Sequence, residues 1–144
     1  MIENDTVKLL RECDAGIKMG VSSINDVIDG INDRNFKSCL SECRREHKVL
    51  ENEVNSLLDK YGDTGKEPNF MAKTMSHMKT EVKMGWDNSD ATAADLLTDG
   101  CNMGVKSLNR YLNQYKAADE VSKDITKRLI NLEQQLSTDI RQYL

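Results

Sequence analysis

Apolar residues recur along this chain in alternating steps of three and four, the spacing of a helix that buries one stripe. The first stripe reads Leu10, Cys13, Ile17, Gly20, Ile24, Val27 and Ile31, which predicts helix 1 from about Asn4 to about Ile31. Asn32-Asp33 interrupts it. The second stripe, Phe36, Leu40, Cys43, His47, Leu50, Val54, Leu57 and Tyr61, predicts helix 2 to about Tyr61, with Gly62 as its C-cap. Gly62 to Asn69, holding Gly65 and Pro68, is the strongest breaker stretch. Helix 3 is expected from about Asp90 to about Lys116, with Leu97, Cys101, Gly104, Leu108, Tyr111 and Tyr115 on its stripe. Helix 4 starts near Asp119 and carries Ile125, Leu129, Leu132, Leu136, Ile140 and Tyr143 to the C-terminus.

Between these hairpins, Phe70 to Trp86 is also amphipathic, with Met71, Met75, Met78 and Val82 on one side. The expected role of this segment is a helical crossover, letting the second hairpin enter from the other end of the bundle. Alternatively, helix 3 begins at Phe70 and kinks near Trp86 to Ser89.

The halves also repeat in sequence. Gly-Ile-Lys-Met-Gly-Val-Ser-Ser-Ile-Asn at 16–25 matches Gly-Cys-Asn-Met-Gly-Val-Lys-Ser-Leu-Asn at 100–109 in six of ten positions, at a constant offset of 84. That period is too long for a solenoid unit and fits a helical hairpin plus its connection. The expected architecture is therefore all-α: one domain over 1–144, with hairpin 1 at about 4–61, the crossover at about 62–89 and hairpin 2 at about 90–144. Short hairpin loops with one long middle connection make this a ferritin-like four-helix bundle built from a duplicated hairpin.

Composition narrows the function classes. The net charge is −4, and lysines and arginines alternate with acids rather than clustering, so no nucleic-acid partner is expected. No apolar run approaches ~18 residues, so no membrane span is expected. The chain opens with Glu3, Asn4 and Asp5 rather than an export signal, and its four cysteines are read as reduced thiols in the cytoplasm. Neither an oxyanion hole nor a phosphate-binding glycine loop is visible. Gly62-Asp63-Thr64-Gly65 lacks the Gly-Lys-Ser/Thr ending of a P-loop.

The order of parts resembles the small bacterial ferritin-like four-helix-bundle proteins of uncharacterised function. The stretches that carry the resemblance are Glu42-Cys43-Arg44-Arg45-Glu46-His47, Gly65-Lys66-Glu67-Pro68, Met75 to Trp86, and Asp99-Gly100 leading into Tyr111. The resemblance implies a bundle that in some relatives carries two iron ions. Such a centre takes a Glu from each of two helices and Glu-x-x-His from the other two. Most of those ligands have no counterpart here. Arg44 stands three residues before His47, Glu133 has no histidine partner on helix 4, and the only histidines are His47 and His77. The inward central positions, read as Gly16, Ile17, Met19 and Gly20 on helix 1 and Gly100, Cys101, Met103 and Gly104 on helix 3, hold no carboxylate.

Pairing each hairpin about its turn puts Ile17 level with His47 and Cys101 level with Glu133. One central layer is thus expected to hold Cys101, His47 and Glu133, with Cys43 one turn away. As thiolate, imidazole and carboxylate donors, Cys43, His47, Cys101 and Glu133 would suit a mononuclear zinc or iron site. The favoured reading is plainer: the seam cysteines are core residues, and His47 is satisfied by Glu133 or Cys101. Gly16/Gly20 and Gly100/Gly104 are read as a close approach of helices 1 and 3, with a ligand hollow as the alternative. Met71, Met75, Met78, Met84 and Trp86 are read as seating the crossover, or as a face for a partner helix. The function expected is non-enzymatic, structural or protein-interacting, with a degenerate di-iron site, no cofactor, and a homodimer or another protein as partner. Its rival is a metal-binding or redox protein using the Cys/His/Glu core.

Overall fold

The computed structural model describes residues 4–63 and 89–144; the segment read as a crossover, with its methionines, Trp86 and His77, lies outside the described residues. Four α-helices form a bundle: α1 (Asn4–Ile28), α2 (Arg34–Lys60), α3 (Asp90–Gln114) and α4 (Glu120–Asp139), followed by a 3-10 turn at Arg141–Tyr143. There is no strand among the described residues, and no described helix is long and apolar enough to cross a membrane.

Local chemistry sets the helix ends. Asp33, Ser89 and Asp119 are N-caps whose side chains accept from the backbone N–H of Phe36, Thr92 and Ser122. Helix α2 stops where Gly62 adopts φ +73, with Gly62 N bonded to Asp59 O and Asp63 N to Leu58 O. This double bond is the Schellman arrangement, and a left-handed φ at that point is what a glycine supplies without strain. Helix α1 ends at Ile28 rather than Ile31, since Gly30 and Ile31 close a turn on Val27 and Ile28. Helix 4 likewise stops short of the C-terminus. The chain tightens into the 3-10 turn, which lays Tyr143 flat on Phe36 with ring centroids 4.4 Å apart.

The hairpins hold each other by their loops. The Asp90 carboxylate, in the first turn of α3, accepts from Asn32 N and Asp33 N at 2.8 and 2.9 Å, clamping the α1–α2 loop. In the first turn of α1, Asp5 accepts from Ala117 N and Thr6 Oγ1 from Asp119 N, clamping the α3–α4 loop. These reciprocal clamps fix the topology: α3 starts at the end of the bundle where α1 finishes. Helices α2 and α3 therefore run in the same direction, and the end of α2 and the start of α3 lie at opposite ends of the bundle. Helix α1 packs on the other three, while α2 and α3 lie across the wider diagonal.

Two apolar clusters fill the interior. One gathers Ile24, Val27, Phe36, Leu40, Cys43, Leu97, Cys101, Leu136 and Ile140 at the α1–α2 loop end. The other gathers Leu10, Cys13, Ile17, Leu50, Val54, Leu58, Leu108, Ile125 and Leu129 at the opposite end. The expected stripes are these core residues, with local corrections. Leu58 rather than Leu57 is fully buried on α2, because a 3.6-residue turn drifts from a strict three-four alternation. Met103 is 62% exposed and Gly100 is exposed, so neither is an inward central position.

Candidate functional site

Each helix skips one residue between the two clusters, and the four skipped residues form a polar waist: Gly20, His47, Gly104 and Glu133. The two glycines stand at the repeat offset of 84, and the other two are the histidine and carboxylate paired by the hairpin count. His47 is fully buried, and its Nε2 lies 2.8 Å from Glu133 Oε1. Its Nδ1 lies 2.8 Å from the Cys43 carbonyl oxygen and 3.6 Å from Cys43 Sγ. A carbonyl oxygen only accepts, so Nδ1 carries a proton, and a carboxylate at Nε2 demands a second. The ring is an imidazolium held at both ends.

Both glycines face this pair, and at Gly20 the absence of a side chain makes room for it. A Cβ on Gly20 would stand 2.8 Å from His47 Nε2 and 3.1 Å from Cδ2; a Cβ on Gly104 would stand 3.6 Å from Glu133 Oε2. What lies against these glycines is therefore the His47–Glu133 pair from α2 and α4. The expected close approach of helices 1 and 3 is not what leaves room there, and the hollow is occupied by the protein's own side chains.

The electrostatics follow from burial. Desolvation pulls the His47 pKa down, but the Cys43 side chain and the Glu133 carboxylate outweigh it and push it up to about 10. Burial raises the Cys101 thiol, and the Glu133 charge and a hydrogen bond to Glu133 raise it further. Cys13, in the cluster away from the α1–α2 loop, is pushed up to about 12 by burial while its Sγ sits 3.1 Å from Thr126 Oγ1. These thiols stay protonated, as core residues should.

The four residues selected from sequence are thus neighbours: Cys43 beside His47, His47 bonded to Glu133, and Cys101 bonded to Glu133. One detail differs from expectation. Gly20 and Gly104, not Ile17 and Cys101, share the layer with His47 and Glu133. Among the described residues, no group of three or more His, Cys, Asp or Glu side chains is arranged to hold a metal ion. The donors do not fit a carboxylate-bridged di-iron centre, since the waist offers one imidazole and one carboxylate, already bonded to each other. Two buried acids on α1 were not foreseen. Asp14 pairs with Lys18 at 2.9 Å, and Glu12 hydrogen-bonds Tyr111, raising that phenol's pKa along with burial. Neither breaks the apolar stripe, so the pattern gave no sign of them.

The raised His47 pKa has a testable sign. The folded chain keeps a proton that the unfolded chain, with an ordinary histidine pKa near 6.5, gives up. The stabilisation is full below about pH 6.5 and is lost as pH rises through about 10. Chemical unfolding at a series of pH values should show stability falling with a limiting slope of ~1.4 kcal/mol per pH unit across that window. Above about pH 8 the raised thiols Cys13, Cys39 and Cys101 act in the same direction, so pH 6.5–8 separates the imidazolium from those thiols, and the same series in a His77→Gln variant assigns the slope to His47. A flat profile there would contradict the imidazolium.

None of the family models, curated proteins or solved structures compared with the chain matches it.

Proposed function

We propose that this chain is a non-enzymatic bundle, structural or protein-interacting, ferritin-like in plan, working in the cytoplasm with a second copy or another protein as partner. One observation carries the reading: the polar waist is closed on itself. His47 has both ring nitrogens engaged by protein acceptors at 2.8 Å, and Gly20 leaves room for the His47 ring and little else. A catalytic or cofactor site needs an unfilled position beside a poised group; here the poised group faces a filled one. The resemblance noted from sequence supports the plan, with a salt bridge standing where di-iron bundles carry ligands. Net charge −4 and interspersed cations support a protein rather than a nucleic-acid partner.

A second reading keeps the metal. The contiguity of Cys43, His47, Glu133 and Cys101 favours a zinc or iron ion bound by thiolate, imidazole and carboxylate. Binding there would have to displace one of the two short bonds of the His47 ring and deprotonate the Cys101 thiol, which burial holds protonated. Elemental analysis of tag-free protein purified without chelator separates the readings. The structural reading expects metal well below one ion per chain in a folded bundle. About one zinc or iron per chain, lost in a His47→Ala variant, would overturn it.

A further inference from the structure

We propose that the groove between α2 and the end of α4 is a docking site for a cationic, amphipathic helical segment of a partner protein. The proposal rests on the interaction reading above and adds its place and its chemistry. The groove has a volume of about 510 Å3 and is open to solvent along one side. Leu132 and Leu136 lie in its floor, and Leu132, only partly buried, packs against both apolar clusters. An apolar side chain set on Leu132 would extend the interior at a residue that joins both clusters and is still partly exposed. Tyr143, stacked on Phe36, gives the groove a fixed end wall.

Charge decides the partner. Glu42 and Glu46, one turn apart on α2, and Asp139 on α4 line the groove, and among the described residues no lysine or arginine does. Glu42 is tied to Arg45 by two hydrogen bonds of 2.6 and 3.0 Å, and Asp139 accepts from Gln135, so the rim is partly neutralised and remains acidic. A groove that offers Leu132 between acidic edges is complementary to a helix that presents one apolar ridge flanked by Lys or Arg.

Cys39 supplies an internal reporter. It lines the groove and is half-buried, whereas Cys13, Cys43 and Cys101 are buried. Burial and the nearby Asp139 charge raise its pKa, so alkylation is best followed above neutral pH.

The experiment uses the full chain and three fluorescein-labelled amphipathic peptides of about 18 residues, each with a leucine stripe flanked by lysines, beside counterparts flanked by glutamates. Saturable binding of the cationic peptides is expected, weakening with added salt and by about tenfold or more in a Glu46→Lys/Asp139→Lys variant that keeps its helical circular dichroism. Bound peptide should also slow iodoacetamide modification of Cys39. Failure of every cationic peptide to bind saturably, or equal binding of the glutamate peptides, overturns the proposal. So does binding that survives the double charge reversal and leaves Cys39 unprotected; that outcome would move the docking face elsewhere and leave the interaction reading standing. Stoichiometric metal in the purified chain, by contrast, strikes the interaction reading and not the groove's peptide affinity.

Discussion

His47→Leu should destabilise the bundle by about 3–5 kcal/mol, the largest effect expected from any single substitution at the waist. The leucine itself is no burden between two apolar clusters. The cost lies with Glu133, which is 8% exposed and would be left as an unpaired carboxylate. Its escape is to take up a proton, and holding a carboxyl of ordinary pKa near 4.3 neutral at pH 7 costs roughly 3–4 kcal/mol. Glu133→Met should be milder. The orphaned imidazole, of ordinary pKa near 6.5, sheds its second proton at pH 7 for almost nothing and keeps its Nδ1–H bond to the Cys43 carbonyl. Combining the two should restore stability to within about 1 kcal/mol of the parent or better, because replacing a whole buried ion pair with apolar groups is often neutral or favourable. Urea unfolding of the four proteins closes the cycle. Additive losses, with the double variant worse than either single, would mean that the pair is not the coupled unit described here.

The same pair shows how far the sequence could be read. Counting residues about the two hairpin turns was enough to bring His47 and Glu133 together, since α1/α2 and α3/α4 are antiparallel neighbours with short loops. The count then chose Ile17 and Cys101 as their layer mates, three residues short of Gly20 and Gly104. Side-chain direction explains the slip. Cα–Cβ bonds on a helix tilt toward its N-terminus. The His47 ring therefore leans toward the α1–α2 loop and meets α1 further along, at Gly20. Glu133 leans toward the α3–α4 loop and meets α3 further along, at Gly104. A level taken from Cα positions is wrong by most of a turn, and in the same sense in both hairpins.

Other features had no periodic trace. The clamp of Asp90 on the α1–α2 loop, and those of Asp5 and Thr6 on the α3–α4 loop, join backbone to side chain across 57 to 113 residues. Each uses a polar residue in a first helical turn, where such residues are common for local reasons. The last turn of the chain is similar. Ile140 and Tyr143 continue the stripe of α4, yet the backbone tightens there, and Tyr143 reaches Phe36 from a 3-10 turn. Both are tertiary contacts, invisible to a pattern that records only which face of a helix is apolar.

Four glycine-to-alanine substitutions, identical as chemistry, should separate widely. In a helix interior this change is ordinarily worth about 0.5–1 kcal/mol in favour of alanine. Gly100 has nothing within 4 Å of an added Cβ, Gly16 would gain an ordinary contact with Leu129 at 3.8 Å, and Gly104 one with Glu133 at 3.6 Å. All three should raise the unfolding midpoint. At Gly20 the added carbon meets the His47 ring at 2.8 Å, and that ring is pinned by bonds at both nitrogens, so it cannot swing aside without losing one. Overpacking of this kind costs about 1–3 kcal/mol, which outweighs the propensity gain and makes Gly20→Ala the only destabilising member. The penalty should vanish in a His47→Ala background, where the new methyl group has space, and the two substitutions should couple strongly because they share a contact. Had the glycines been placed to bring two helix backbones together, the pairs Gly16/Gly20 and Gly100/Gly104 would respond alike, and no change at His47 would rescue any of them. Thermal unfolding of the four glycine variants, of His47→Ala and of the Gly20→Ala/His47→Ala double variant therefore tests whether the His47 ring set the shape of the waist.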